Sequence, residues 1–240
     1  MHLFSRTAGR VTCAALLLAA WASPVSAQQP AQEPRPPFDI EGGYIGFGAL
    51  INFTLDGKSF DGETVYKEIN GESLAALPRL HSRNLPKFIF GFRTHNGALE
   101  FSYERAKHEA SIFEFPLDVQ FNCINVDGRF FFLKHQRFQP HLVLGVAFPW
   151  LSVEDGVVSS DRPDAEVGDA SWRGPGLNTE VGLTAFITPQ AGVSIGYAYR
   201  LMYFSRMRGL DDKVFELHPS FKETSGNVVI TGFWTFGEKK

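Results

Sequence analysis

Apolar and polar residues alternate along two stretches that meet at Thr188-Pro189-Gln190. Apolar residues occupy every second position from Val181 to Ile187 and again from Val193 to Tyr203. A period of two is the period of a β-strand, and the proline between the stretches indicates a turn, so the pattern predicts a β-hairpin. Small and charged residues lie on the opposite face: Glu180, Gly182, Thr184, Gly192, Ser194, Gly196 and Arg200.

Similar alternation elsewhere predicts eight strands in all. Several exceed the five or six residues usual in soluble sheets and approach the length of a tilted strand that crosses a bilayer. The predicted strands are Ile40–Phe53, Lys87–Thr94, Ala98–Ala106, Leu117–Leu133, His141–Val153, Gly176–Ile187, Ala191–Ser205 and Asn227–Phe236.

The connections between these strands alternate strictly between long and short. The short ones are 95–97, 134–140 and 188–190, and the long ones are 54–86, 107–116, 154–175 and 206–226. Outer-membrane barrels have short turns on the periplasmic side and long loops outside. The sequence therefore predicts an all-β fold, an eight-stranded antiparallel up-and-down transmembrane β-barrel with both termini in the periplasm.

The faces of the strands predict a polar interior. Charged residues of both signs fall on the faces opposite the bulky apolar ones, and we expect them to form a network in the lumen, because unpaired buried charges are costly. The predicted network contains Arg93, Glu100, Glu104, Asp127, Arg129, Glu180 and Arg200. In the fourth strand the apolar residues change parity, which predicts a β-bulge near Asn122.

Aromatic residues gather near both ends of the predicted strands, as expected for girdles at the two membrane interfaces. The cluster on the short-turn side contains Phe130, Phe131, Phe132, Trp234 and Phe236, and the cluster on the long-loop side contains Phe53, Phe148, Trp150, Tyr203 and Phe204. Pro149 cannot donate a ladder hydrogen bond, so we expect it at the outer end of its strand or at a bulge.

The N-terminal residues divide the chain into three segments. Arg6 and Arg10, the apolar run Val11–Ala22 and a small-residue site ending at Ala27 predict a cleaved signal peptide over residues 1–27. Residues 28–38 are rich in Pro and Gln and predict a periplasmic tether, and residues 39–240 are assigned to the barrel. Removing the two arginines changes the net charge from -3 to -5, which argues against a nucleic-acid partner.

Three segments carry a family resemblance: GYIGFG at 43–48, the central hairpin, and the closing segment NVVITGFWTFG. They resemble the small outer-membrane β-barrel superfamily, which includes the transmembrane domain of OmpA and the OmpX- and OmpW-like proteins. In the last strand Val228, Ile230, Trp234 and Phe236 alternate. The resemblance implies that this strand is the signal read by the barrel assembly machinery, although Gly237–Lys240 follow it here.

One pair of residues resembles a catalytic motif. His218-Pro219-Ser220 has the His and Ser spacing of lipid A deacylase barrels, but Phe221 stands where that family has an Asn, and Pro219 breaks the strand geometry. His81-Ser82 is a looser match. The histidines lack zinc-site spacing, and the acidic loop 154–169 lacks the pattern of an EF-hand. We therefore expect no catalytic, metal-binding or cofactor-binding residues.

Leu74, Leu77 and Leu80 share a helical spacing, so 72–80 predicts a short helix in the first long connection. The expected function is non-catalytic: membrane integrity, surface contact, or minor passage of small solutes. The expected partners are outer-membrane lipid, lipopolysaccharide and, during biogenesis, the barrel assembly machinery. Two alternatives stay open, a lipid A-modifying outer-membrane enzyme and a soluble periplasmic barrel of the lipocalin type whose apolar face encloses a ligand.

Overall fold

A computed structural model of the protein describes residues 38, 40–53, 67–69, 73–75, 79–80, 83–94, 97–112, 115–133, 136–159, 167–208 and 214–237. The predicted signal peptide and nearly all of the tether lie outside these residues. The described part of the chain contains twelve strands and no helix. It therefore offers no helix that is long and apolar enough to cross a membrane. The strands are β1 (Gly42–Phe53), β2 (Lys67–Ile69), β3 (Ser73–Ala75), β4 (Arg79–Leu80), β5 (Arg83–Arg93), β6 (Gly97–Ile112), β7 (Phe115–Phe131), β8 (Phe138–Ser159), β9 (Val167–Arg173), β10 (Gly176–Phe186), β11 (Ala191–Arg208) and β12 (Val214–Phe236).

Eight of these strands close into a ring in which every neighbour is antiparallel. The order is β1-β5-β6-β7-β8-β10-β11-β12, and β12 pairs again with β1 from Gly43↔Phe236 to Ile51↔Val228. Apart from the short strands β2, β3, β4 and β9, each strand is next to its sequence neighbour. The predicted eight-stranded up-and-down barrel is confirmed.

The short connections lie together at one end of the ring, which we call the turn end. At the first, the Thr94 amide donates to the Gly97 carbonyl at 2.8 Å; at the third, the Ile187 amide donates to the Ala191 carbonyl at 2.9 Å. Residues 95–96 and 134–135 lie outside the described part of the chain. Tight hydrogen-bonded closures of this kind fix the register of the hairpins.

The opposite end, the hairpin end, contains more strand than the sequence predicts. β6 continues to Ile112 and β7 begins at Phe115, while β8 continues to Ser159 and β12 begins at Val214. Backbone pairing holds these extensions, and backbone hydrogen bonds do not require the alternation of apolar side chains on which the prediction relied. Three of the four connections predicted to be long are therefore largely sheet.

The helix predicted over 72–80 is wrong. Ser73–Ala75 and Arg79–Leu80 are strands, paired with β8 and β6 respectively. Pairing to the edges of neighbouring hairpins overrides the helical spacing of the leucines, because propensity over so short a segment is weak compared with tertiary context.

The bulge predicted near Asn122 is also wrong. The pairing of β7 with β6 is unbroken from Gly97↔Phe130 to Ile112↔Phe115, and its pairing with β8 is equally regular. A bulge occurs instead in β1, where the register with β5 slips between Leu50 and Phe53 and Asn52 has a φ of 54°. Asn tolerates this left-handed conformation better than most residues.

A second irregularity lies in β12. Phe204 of β11 pairs with Phe221, but Arg206 pairs with Glu216, so residues 217–220 stand outside the ladder. His218-Pro219-Ser220 belongs to this bulge, and the side chains of residues 215–223 lie outside those described. A proline that cannot donate to the ladder fits such a position.

Pro149 lies inside β8 rather than at its outer end. Pro149 lies at the level where β9 ends at Arg173, opposite Trp150, and β10 begins at Gly176, opposite Ala147. Gly174 and Pro175 occupy this break. The missing amide of Pro149 is therefore placed where one neighbouring ladder is already interrupted.

Candidate functional site

All seven polar residues predicted for the lumen point into the barrel and are buried. Their exposed fractions are at most 6 %. They lie at alternate positions of β5, β6, β7, β10 and β11 and form two clusters, one nearer the turn end and one nearer the hairpin end.

Arg129 is the centre of the turn-side cluster. Its guanidinium pairs with the Glu100 carboxylate through Nε and Oε1 and through Nη2 and Oε2, the latter at 3.2 Å. Its Nη1 lies 3.6 Å from Glu180 Oε1 and donates to Ser194 Oγ at 3.3 Å. One arginine thus links carboxylates from two strands in a planar, bidentate arrangement that a lysine could not reproduce.

His141 extends this cluster from β8. Its Nε2 lies 3.0 Å from Glu180 Oε1, and its Nδ1 lies 3.1 Å from Thr184 Oγ1. Gly182 provides the space for the ring, because a Cβ atom there would lie 2.7 Å from two ring atoms. The imidazole is therefore held on both sides, with a carboxylate as one of its partners.

Tyr44 closes the turn-side cluster from β1. Its hydroxyl donates to Glu100 Oε1, and its ring lies over Gly91, where a Cβ would come within 2.9 Å of Cε1. Small inward residues thus accommodate large neighbours, as expected in an eight-stranded barrel whose interior is just wide enough for side chains.

Arg200 and Glu104 form the hairpin-side cluster. Arg200 donates from Nη1 to Glu104 Oε2 at 2.7 Å and from Nη2 to Oε1 at 2.9 Å. Lys87 Nζ lies 3.9 Å from Glu104 Oε1, and Asn125 donates to the same oxygen at 3.1 Å. Asp127 accepts a hydrogen bond from Asn178 at 3.1 Å.

Arg93 lies closest to the turn end. Its guanidinium carbon is 4.6 Å from the centre of the Phe131 ring and 4.5 Å from that of Phe186, and its Nη2 donates to Gln139 at 3.0 Å. The cation lies between two aromatic faces, a favourable electrostatic contact. These rings and Arg93 close the floor of the lumen.

The charges of the interior balance. Among the described residues, four buried cations (Lys87, Arg93, Arg129, Arg200) face four buried anions (Glu100, Glu104, Asp127, Glu180). Pairing of this kind offsets the desolvation of each ion. The cavity left between the turn-side cluster and the floor is about 20 Å³, room for roughly one water molecule.

The hairpin end of the lumen contains apolar side chains instead of charges. We call this cluster the apolar plug; its largest members, all almost fully buried, are Phe53, Phe121, Leu151, Trp172, Met202 and Phe204. Sequence analysis missed the plug. It assigned Phe53 and Phe204 to an outer aromatic girdle, and that assignment is wrong because both rings point inward.

Several further buried polar residues were missed, among them Tyr44, Lys87, His141 and Asn178. Lys87 and Asn178 share the parity of a predicted residue on the same strand, and Tyr44 and His141 share the parity of the inward glycines Gly48 and Gly145. The sequence therefore does contain the signal for these residues, which is the shared parity of all inward positions along one strand.

The exterior of the barrel is apolar where the interior is charged. Phe90, Val181 and Ile195 expose 62 %, 66 % and 51 % of their surface. Similar residues surround the ring, including Phe47, Phe88, Leu144, Leu177, Tyr197 and Ile230. A contiguous apolar belt around a charged interior is the reverse of a water-soluble protein and matches a barrel embedded in lipid.

The chain folds as a closed eight-stranded antiparallel β-barrel with an apolar exterior.

Solved structures of outer-membrane proteins resemble this barrel. Neisserial surface protein A is 16 % identical, covering 81 % of this chain and 97 % of its own, with a TM-score of 0.48. OprG from Pseudomonas aeruginosa is 13 % identical over 83 % and 98 %, with a TM-score of 0.48. The outer membrane protease OmpT from Escherichia coli is 10 % identical over 85 % and 99 %, with a TM-score of 0.41. No protein-family model and no curated protein matches the sequence.

The aromatic girdles of the barrel are smaller than predicted. Phe130, Phe132, Trp234 and Phe236 face outward near the turn end, and Phe148 faces outward toward the hairpin end, with Trp150 and Tyr203 partly exposed. Phe131 points inward and forms the floor with Phe186. The prediction was wrong for Phe131 because neighbouring residues of a strand face opposite sides.

The candidate catalytic side chains lie outside the part of the chain that the structure describes. His81 and Ser82 lie outside the described residues, as do the side chains of His218 and Ser220. Within the described part of the chain, no group of three or more His, Cys, Asp or Glu side chains is arranged to hold a metal ion.

Proposed function

We propose that this barrel is a non-catalytic structural and surface-contact protein of the bacterial outer membrane, with a lumen closed to solutes. The observation that carries the proposal is the filling of the interior by an aromatic floor, two ion-pair clusters and an apolar plug. Of the three expected roles, this filling favours membrane integrity and surface contact over solute passage.

The proposed export route follows from the sequence. A cleaved signal peptide over residues 1–27 and a periplasmic tether over 28–38 place the turn end in the periplasm and the hairpin end outside. Val228, Ile230, Trp234 and Phe236 of β12 are all exposed on the outer surface of the barrel. This exposure supports their proposed role as the segment that the barrel assembly machinery binds.

The extended hairpins supply the proposed contact surface. β6–β7, β8–β9 and β11–β12 all continue past the break at Gly174–Pro175, and β3 and β4 pair with two of them. Paired strands present side chains in a fixed order, which a flexible loop does not. The paired backbone of these hairpins supports binding to a surface partner or to lipopolysaccharide.

The soluble lipocalin-type alternative requires the apolar faces to point inward around a ligand. Val181, Ile195 and their neighbours point outward instead. The lipid A-modifying alternative requires a nucleophile and base on a regular lipid-facing strand, whereas His218 and Ser220 lie in the bulge of β12.

Conductance measurements test the closed lumen. The purified protein inserted into planar lipid bilayers should give no stepwise current above that of the protein-free bilayer, because the floor and the plug fill the lumen of the described barrel. An open outer-membrane porin inserted in the same bilayer serves as the positive control. Regular current steps from the purified protein would contradict the closed lumen.

A further inference from the structure

Two arginines lie directly opposite each other on neighbouring strands at the hairpin end. Arg173 of β9 pairs in register with Arg206 of β11, and both side chains are exposed on the outer surface. Directly opposite side chains in an antiparallel pair have Cβ atoms roughly 5 Å apart, and like charges there repel. The fold therefore concentrates positive charge where the pairing alone would disfavour it.

The positions next to the two arginines carry charges of both signs. Arg208, the next outward position of β11, is also exposed and has an interaction of its own. In register, Arg206 faces Glu216 of β12 on its other side. Among the described residues, no carboxylate forms an ion pair with Arg173 or Arg206, and the exposed Glu154 and Asp169 lie further toward the hairpin tips.

The arginines lie at the level where the exterior changes from apolar to polar. Trp150 of β8 is directly opposite Arg173, and its ring centre is 6.2 Å from that of Tyr103. The Tyr103 hydroxyl donates to Asn122 at 2.9 Å. Trp and Tyr side chains are enriched at the membrane–water interface, so the guanidinium groups lie at headgroup depth.

We propose that Arg173 and Arg206 bind the phosphate group of a phosphorylated glycolipid in the outer leaflet. Guanidinium groups bind phosphate oxygens through two parallel hydrogen bonds each, and two of them side by side can hold one phosphate from both sides. The acyl chains of the same lipid would lie against the apolar belt below. This site rests on the proposed function, because it requires the hairpin end to lie at the outer leaflet.

Lipid titration of the purified barrel tests the site. The folded protein in detergent micelles is titrated with bis-phosphorylated lipid A and the bound fraction is measured by native mass spectrometry. The variant R173Q/R206Q is compared with R105Q/K107Q, which removes the same two charges from exposed positions of β6. We expect the first variant to bind lipid A about tenfold or more weakly and the second to stay within about twofold of the native protein.

Two further arms identify what is bound. Dephosphorylated lipid A should bind the native protein and R173Q/R206Q equally weakly, and inorganic phosphate should not displace phosphorylated lipid A. Equal binding of lipid A by the native protein and R173Q/R206Q would overturn the site, and so would displacement by inorganic phosphate, which indicates a site for the free ion. Both results leave the barrel proposal standing if the protein fractionates with the outer membrane and shifts on heating; failure of those two properties would overturn the proposed function itself.

Discussion

Single glycines decide how the large polar side chains fit inside this narrow barrel. A Cβ at Gly182 would lie 2.5 Å from the Ile195 carbonyl oxygen and 2.7 Å from the His141 ring, and one at Gly196 would lie 2.8 Å from Glu180 Oε1. The backbone oxygen cannot move without disturbing the ladder. Gly182 and Gly196 are therefore needed for close approach, not for an unusual backbone conformation.

Replacing Gly182 with Ala should lower the free energy of unfolding by about 1–3 kcal/mol, because the added methyl overpacks the site of His141. Gly232→Ala is the matched control. Gly232 faces outward, and its Cβ would meet just one atom within 4 Å, the Phe47 oxygen at 3.9 Å. Urea unfolding of both variants in lipid vesicles measures the difference, and equal stabilities would show that the His141 position is not tightly packed.

Removing the Arg200 charge should be more costly. Arg200→Met leaves Glu104 buried with the more distant Lys87 as its remaining cation, and breaking a buried pair costs about 3–5 kcal/mol. Arg105→Met is the control, because Arg105 is exposed and donates to Gln120 at 3.1 Å; its effect should be about 0.5 kcal/mol or less. Urea unfolding again gives the comparison, and similar losses for both variants would contradict the pairing of Arg200 with Glu104.

At the scale of single elements, β7 shows what sequence alone could and could not predict. Its inward face carries Asn125, Asp127 and Arg129 near the turn end and Val119 and Phe121 near the hairpin end. The sequence identified the charged part correctly. The prediction placed the apolar part on the outward face, because it took the whole lumen to be polar. It explained the change from polar to apolar residues along β7 by a bulge.

The ends of the strands are the second feature that the sequence did not predict. Sequence alternation located all eight barrel strands, since one face of each is apolar and the other is not. Beyond the membrane-facing part, both faces of the hairpins carry mixed residues, as in Lys107–Ile112, and the alternation disappears while the backbone pairing continues. Likewise nothing in the residue types of β1 distinguishes Asn52, which does carry a bulge, from Asn122, which does not.

Cysteine accessibility along β7 tests its register. In a Cys123→Ser background, single cysteines at Asp118 and Gln120 should react with a membrane-impermeant maleimide, because these positions are at least partly exposed outside the ring. Cysteines at Val119 and Phe121 should stay unlabelled, because both side chains are buried in the plug. If the cysteine at position 121 were labelled and the one at position 120 were not, the result would indicate a bulge at Asn122 and would contradict the continuous register.

At the scale of the whole molecule, the barrel has two zones with opposite arrangements. Toward the turn end the interior is charged and the exterior apolar; at the hairpin end the plug is apolar and the exterior carries Arg105, Lys107, Asp118 and Arg173. The first zone is arranged for lipid and the second for water. One continuous sheet therefore passes from lipid to water, and the hairpin strands are the part of it that lies beyond the membrane-facing belt.

The central claim is that the apolar belt contacts lipid. The most direct measurement is to fractionate expressing cells and run the membrane fraction on SDS gels with and without boiling. Recovery in the outer membrane with a heat-dependent mobility shift is the expected result, because a closed ring of paired strands resists SDS until it is heated. Recovery as a soluble periplasmic protein without a shift would contradict the claim and would mean that the belt is covered by something other than lipid.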